Sequence, residues 1–326
     1  MDARMREVDG IVRGVVEAER TKPFVVSVMG TTGTGKSSLI NALFGTELRT
    51  DPVRPCTKEV QRVVVSGAGK SELWFYDLPG IGEAGDVDES YVEQYRVKLL
   101  ESDVVVWAIH ADSRSVAYDQ QALDRILGDD PASRVALMSK LTFVLTKVDL
   151  LTPPPWIFAK SGDRGVFAPV GEMVELLARK EMYFQESFIR PHADLIESTT
   201  FHDGTFEVDE PSMTADQYVV THRGILTREA ASELSARYPR HADVFERLYD
   251  NHRVISCSSL FRFNLAQLLL VIVNKLGGGA IARFQQFTSG QQLNEVSLGA
   301  AREFCNMIVF DRRLGKSVFD MVDQKL

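Results

Sequence analysis

Residues 24–38, FVVSVMGTTGTGKSS, restrict the fold more than any other stretch of the chain. Five apolar residues, Phe24, Val25, Val26, Val28 and Met29, break into a glycine-rich loop, and the loop opens onto residues 36–44, which carry a helical pattern. Gly30, four spacers, Gly35, Lys36 and Ser37 fit GxxxxGK[ST], the P-loop pattern that wraps nucleotide phosphates. The physical demand is for successive backbone N–H groups that converge on a polyanion. This requires positions without Cβ at Gly30, Gly33 and Gly35, and a helix N-terminus behind them adds its positive dipole end. Thr31, Thr32, Thr34 and Ser38 complete the nucleotide-binding positions of the loop. Lys36 reaches the β- and γ-phosphates as a point charge, and the Ser37 hydroxyl ligates Mg²⁺. The plainer reading is a flexible glycine turn before a helix; the strand before and the helix after favour the phosphate cradle.

Downstream, residues 59–66 alternate around Val60, Val63, Val64 and Val65, Gly67-Ala68-Gly69 supplies a turn, and residues 72–76 are apolar and aromatic. Two strands joined by so short a connection must run antiparallel. The second runs into Asp77-Leu78-Pro79-Gly80, where a strand-end carboxylate can hold Mg²⁺ through water and Gly80 can offer its N–H to a γ-phosphate. By itself DxPG is a common turn; its place after a P-loop and at a strand end favours the metal reading. Residues 91–101 read as a helix, 104–109 as a fully buried strand, and 119–127 as a helix ending at Gly128 and Pro131. Residues 141–145 form the next strand and deliver Thr146-Lys147-Val148-Asp149.

Taken in order, residues 30–37, Thr57, 77–80 and 146–149 resemble the G1 to G4 motifs of the TRAFAC-class GTPases. GKSSLINALFG over residues 35–45 resembles the Era/TrmE-like branch. The resemblance covers residues 24–149 and resumes near Val254. It implies an α/β fold of three layers, a P-loop NTPase domain whose mostly parallel sheet carries one antiparallel edge strand, with GTP or GDP and Mg²⁺ as cofactors. It also implies that residues 45–58 and 82–91 are switches, that Thr57 joins Ser37 and Asp77 in the Mg²⁺ shell, and that Asp149 accepts the N1 and N2 hydrogens of guanine while the Lys147 stem packs over the base. Thr146 replaces the usual asparagine. The fifth motif falls on Ser256, Cys257 and Ser258, with the Cys257 N–H facing guanine O6. Ile81 stands where Ras-like enzymes keep a glutamine that orients water, and Gly33 stands where some Era-like members use asparagine to recruit potassium. Arg54, three residues before Thr57, matches the spacing of the arginine finger built into heterotrimeric G-protein α subunits; an arginine facing solvent or a partner is the preferred reading.

The departure from the resemblance is residues 151–253, a graft large enough for a small α/β subdomain. It opens with Pro153-Pro154-Pro155; residues 170–188 and 228–249 read as helical, 199–208 as a hairpin around Asp203-Gly204, and 218–226 as a strand. Its five histidines lack i, i+4 pairs, an HExxH motif or a cysteine partner, so scattered surface histidines are the favoured reading over a metal site. Residues 1–22 read as an amphipathic N-terminal helix, 23–150 and 254–276 as the two parts of the nucleotide domain, and 277–326 as a helical extension after Gly277-Gly278-Gly279. Within the extension, residues 280–287 and 294–304 look helical, and 308–326 carry a short apolar pattern around Gly315.

A net charge of −8 argues against a broad electrostatic grip on nucleic acid or anionic membrane. Three scattered cysteines give neither a disulfide framework nor a zinc pattern, which suits a cytoplasmic setting. No apolar run is long enough to cross a bilayer, so no integral membrane segment is expected. The leading functional expectation is a guanine-nucleotide switch with slow hydrolysis, signalling to a protein or ribosome/RNA effector or to a homodimer formed through the nucleotide face. A P-loop ATPase or phosphotransferase with the graft as a lid, and a non-hydrolysing scaffold, are the alternatives.

Overall fold

The computed structural model describes residues 23–50, 60–66, 72–78, 89–113, 116–151, 156–202, 204–216, 218–276, 293–301, 308–311, 313 and 315–320. The expected helix over 1–22, the turn at 67–69, the prolines at 153–155, the hinge at 277–279 and the helix at 280–287 lie outside them. So do Arg54, Thr57, Gly80 and Ile81.

The central sheet is built from β1 (Phe24–Met29), β2 (Gln61–Ser66), β3 (Glu72–Asp77), β4 (Val104–His110), β5 (Leu141–Thr146) and the short β11 (Ile255–Ser256), in the order β2-β3-β1-β4-β5-β11. All neighbours are parallel except β2, which runs antiparallel to β3 with Val64 opposite Trp74. β1 lies between β3 and β4, so the chain crosses from one side of it to the other. Such a switch point leaves a crevice at the carboxyl ends of the strands, and the P-loop fills it.

Side-chain alternation along β4 builds the three layers. Val104 and Val106 join a cluster with Leu39, Ile40 and Leu43 of α1 (Lys36–Phe44) and Leu268, Leu269 and Ile272 of α8 (Leu265–Lys275). Val105, Trp107 and Ile109 point the other way, toward α2 (Glu89–Glu101), α3 (Ala117–Leu127) and α4 (Pro131–Lys140). With both faces covered, every β4 residue from Val104 to Ile109 is buried. The sequence reading assigned no element to residues 131–140, yet α4 stands there. Its signal was Asp130-Pro131: the Asp130 carboxylate accepts the Ser133 N–H at 2.8 Å as N-cap, and proline sits in the first turn.

Beyond residue 151 the structure departs from the expected local layout. β6 (Trp156–Ser161) and β7 (Arg164–Pro169) form a hairpin, followed by α5 (Glu172–Phe184). Phe184 and Phe188 of this region stack on each other, and Phe188 contacts Trp107 and Phe143, so the segment shares the core of the central sheet. The hairpin expected over 199–208 does not form. β8 (Glu197–Phe201) pairs instead with β10 (Val219–Arg223), whose other edge takes β9 (Met213–Ala215). Phe206 and Val208 leave the sheet to pack on the cluster around Phe245, which α6 (Arg228–Arg237) and α7 (Ala242–Asp250) back. The helix expected over 228–249 is therefore two, divided at Pro239.

The helical reading of 294–304 is also corrected. Among the described residues of that range, Glu295–Ser297 is a strand, β12, antiparallel to β7, and Leu298–Ala301 turns as a helix. β13 (Ile308–Asp311) lies parallel to β6 and pairs with β14 (Lys316–Asp320), giving a five-stranded sheet β12-β7-β6-β13-β14. Strands from residues 156–169 and 295–320 thus close one sheet. These pairings depend on partners more than a hundred residues away, which local patterning does not specify.

Lys275 ends α8 beneath the central sheet, its ammonium donating to the carbonyls of Leu141 at 2.5 Å and Ser139 at 3.5 Å. Burial pushes its pKa down to about 7 from an ordinary value of 10.5. Between those values the unfolded chain holds more protons than the folded one, so this group makes stability rise with pH across that window. Lys275→Met is expected to show a smaller gain in urea midpoint between pH 7 and pH 9 than the parent chain. Equal gains in the two proteins would contradict the buried-lysine account.

Candidate functional site

The P-loop follows from the strain that its glycines absorb. Gly30 has φ 139°, and a Cβ there would lie 2.1 Å from the carbonyl oxygen of Ala108 in β4. No side chain fits. Gly35, at φ 87°, is the N-cap of α1 without a side-chain capping bond, so the first-turn amides face the loop. Thr34 closes the turn, its hydroxyl donating to the Thr31 carbonyl at 2.9 Å. Lys36 folds back across the loop, and its buried ammonium donates to the carbonyls of Gly30 at 3.1 Å and Thr31 at 3.3 Å.

Ser37 and Asp77 meet beside the loop, the hydroxyl donating to Asp77 Oδ2 at 2.5 Å. Asp77 is fully buried, and the following Leu78 N–H pairs with Val28 O, which fixes the end of β3 against β1. One neutral hydroxyl and one carboxylate, both hard oxygen donors next to a phosphate cradle, are the chemistry Mg²⁺ takes when a nucleotide supplies its remaining ligands. The residues present fit that ion.

On the far side of the loop, β5 ends in Thr146, whose buried hydroxyl donates to the carbonyls of Thr34 at 2.6 Å and Ile109 at 3.1 Å. Its side chain therefore ties the P-loop to the sheet. Lys147 adopts φ 57°, and its Cε lies 3.5 Å from where a Cβ on Gly35 would stand, so its stem runs along the end of the loop. Asp149 Oδ1 accepts the Ser258 hydroxyl at 2.5 Å, and Ser258 Oγ in turn accepts the Phe261 N–H at 2.9 Å. A cavity of about 560 Å³ lies among these groups, lined by Gly35, Lys147, Asp149, Ser259 and Leu260. That volume suits a small-molecule ligand.

The structure does not bear out the expected direction of Cys257. Cys257 is fully buried, its N–H donates to Leu145 O at 2.7 Å, and its carbonyl accepts from Val148. Both backbone groups are spent on β5 and the turn that follows it, so the Cys257 N–H does not face the cavity; burial also pushes its thiol pKa far up. Ser256 N–H points to Glu181 of α5. The positions lining the cavity lie further on, at Ser259, Leu260 and Arg262, while the buried Ser258 reaches it only through Asp149. The sequence signal that distinguishes them is a serine hydroxyl one turn beyond the strand. His110, at the end of β4, was not singled out by sequence. Burial and then the Lys147 charge push its pKa below the ordinary imidazole value, so it is neutral at pH 7. Among the described residues no group of three or more His, Cys, Asp or Glu forms a metal-holding cluster, and no helix is long and apolar enough to cross a membrane.

The central sheet, mostly parallel with one antiparallel edge strand, and the glycine-rich loop at its carboxyl edge make an α/β fold consistent with a P-loop GTPase domain. Residues 25–140 match the family model described as 50S ribosome-binding GTPase. Over 130 residues the chain is 36% identical to the uncharacterized protein YfjP of Escherichia coli (strain K12), covering 40% of this chain and 43% of that protein. Over 126 residues it is 24% identical to GTPase Era of Geobacter metallireducens, covering 38% of this chain and 40% of that one. The chain therefore spans less than half the length of these curated relatives. A solved structure of Toc33 from Arabidopsis thaliana, in complex with GDP and Mg²⁺, is similar at 22% identity over 57% of this chain and 69% of that one, with a TM-score of 0.38.

Proposed function

We propose that the chain is a guanine-nucleotide switch of the Era/TrmE-like kind, with residues 151–253 inserted between its fourth and fifth motifs, that binds GTP and GDP with Mg²⁺ and hydrolyses GTP slowly. The observation that carries this reading is the placement of two polar pairs about one P-loop. Ser37 bonds Asp77 beside the loop, and Asp149, held by Ser258, lines the cavity that Gly35 and Lys147 also line. Two acceptor oxygens of a carboxylate match the adjacent N1–H and N2–H donors of guanine, whereas the corresponding edge of adenine offers no such pair. Leu150 and Leu260 stand more than half exposed at this end of the molecule, apolar surfaces against which a base face can pack.

In the reaction, water adds to the γ-phosphorus, the bond to the β–γ bridging oxygen breaks, and GDP and phosphate leave. Lys36 and the loop amides would bear the charge on the β- and γ-phosphates, and Ser37, Asp77 and Thr57 would hold the metal ion. When bound, Mg²⁺ neutralises charge on the β- and γ-oxygens. Ile81 has no group with which to orient the water, which is the basis for a slow intrinsic rate. Gly80 offers its N–H to the γ-phosphate, and residues 45–58 and 82–91 order around it and release after cleavage. The outputs consistent with this reading are a protein or ribosome/RNA effector, or a homodimer through the nucleotide face, in the cytoplasm.

The test is a titration with GTP, GDP and ATP, with phosphate release followed in Mg²⁺ and again after chelation. Guanine nucleotides are expected to bind at least a hundredfold more tightly than ATP, and chelation to abolish turnover. Equal affinity for ATP and GTP removes the guanine assignment. Tight GTP binding with no turnover favours a nucleotide-bound scaffold.

A further inference from the structure

The loop that carries Ser258 is held by groups from distant parts of the chain. Residues 258–263 form a closed ring: Ser258 N–H donates to Phe263 O at 3.2 Å and Phe263 N–H returns to Ser258 O at 3.0 Å. Within and just after the ring, Arg262 and Asn264 sit at φ 53° and 55°, conformations that cost side-chain-bearing residues energy and persist only where surroundings enforce them. Arg262 is anchored by Nε to Leu293 O at 2.7 Å and by a second nitrogen to Ala42 O, at the end of α1, at 3.1 Å.

The remaining enforcement comes from the β6–β7 hairpin. Phe167 stacks flat on Phe261, with ring centroids 4.1 Å apart and planes 11° from parallel. Trp156 meets Phe261 and Phe263 edge-on at 5.3 and 5.0 Å. Trp156 and Phe167 are buried in the core that the hairpin shares with the central sheet. α5 adds two further ties to the same edge: Glu181 accepts the Ser256 N–H at 3.1 Å, and Lys180 donates to Ala111 O at 2.6 Å, beside the Ala111–Thr146 bond.

From Phe261 the path to the carboxylate is two hydrogen bonds long. The Phe261 N–H holds Ser258 Oγ in place, and the Ser258 hydroxyl proton goes to Asp149 Oδ1. We propose that Trp156 and Phe167 of the β6–β7 hairpin, acting through Phe261 and Ser258, position Asp149 and thereby set how sharply the site distinguishes guanine from related bases. The segment that departs from the family pattern is, in this account, a working part of the base pocket. Phe261 and Phe167 are positioning residues: neither lines the cavity. The inference rests on the guanine reading above.

The experiment measures Kd for GDP and for IDP, which lacks the 2-amino group and so loses one contact to Asp149. It uses the full chain, Phe261→Ala, Phe261→Tyr, Phe167→Leu and Ser258→Ala. Phe261→Ala and Phe167→Leu are expected to weaken GDP binding about tenfold and IDP binding much less, bringing the GDP/IDP ratio toward one. Phe261 is only partly buried, so Phe261→Tyr keeps the stack and should restore the ratio. Phe167→Leu combined with Ser258→Ala should lose no more than the larger single change, because both act along one path. If Phe261→Ala fails to fold, Phe167→Leu and its pairing with Ser258→Ala still decide the matter. Equal loss of GDP and IDP, or an unchanged ratio, overturns the inference and leaves the guanine reading standing. Failure of the unsubstituted chain to bind GDP overturns the guanine reading itself.

Discussion

Lys36→Ala is expected to remove measurable nucleotide binding at micromolar protein. An ammonium bridging two phosphates makes charge-assisted hydrogen bonds worth roughly 1.5–3 kcal/mol each. Losing two therefore raises Kd by about 10²–10⁴-fold. The same ammonium holds the carbonyls of Gly30 and Thr31, so its removal also loosens the cradle. The fold need not fail with it, because the strain of the loop is taken by Gly30 and Gly35 and its tie to the sheet by Thr146. The check is a fluorescence titration with a labelled GDP beside a thermal melt. Parental affinity in a folded Lys36→Ala protein would show that the loop does not grip phosphates through this residue.

Asp149→Asn carries the second large effect and acts on the opposite end of the ligand. The substituted side chain can still accept the Ser258 hydroxyl through its remaining oxygen, which leaves its amide nitrogen directed at the base. Guanine presents two donors there, so two hydrogen bonds to a charged acceptor are replaced by donor facing donor. The loss is about 3–6 kcal/mol, or roughly 10²–10⁴-fold in GDP affinity. Xanthine presents a carbonyl at the same position and should bind the variant better than GDP does. Competition of GDP and XDP for the two proteins reads this directly. A variant that loses both equally would place Asp149 in the scaffold rather than against the base.

These two substitutions probe the parts of the site that were legible in sequence, and their legibility has a common cause. The GxxxxGKS run works through backbone geometry within eight residues, and the glycines at 30 and 35 are where the structure requires positive φ. Alternation over 59–66 and the connection to residue 72 admitted only an antiparallel edge, and β2–β3 is that edge. Cys257 shows where such reading stops. Choosing which residue after a short strand faces a ligand depends on register, and the two-residue β11 takes its register from Leu145 and Val144 on β5. A shift of one residue reverses which face a side chain occupies. The same holds for β8, whose partner is β10 across a long excursion rather than the segment next to it.

By itself the sequence determined a glycine-rich P-loop, a carboxylate at the end of the strand beside it, a second carboxylate after β5, and an α/β sheet to carry them. Each of these is local, set by glycine dihedrals, side-chain alternation and chain reversal within a few residues. Only the tertiary structure decided that Ser258 holds Asp149, that Thr146 fastens the loop, and that Trp156 and Phe167 brace the ring at Phe261 from a sheet closed by strands more than a hundred residues apart. The physical reason is that aromatic packing and strand pairing are chosen by which surfaces meet once the chain has collapsed, and no short window of sequence contains both partners.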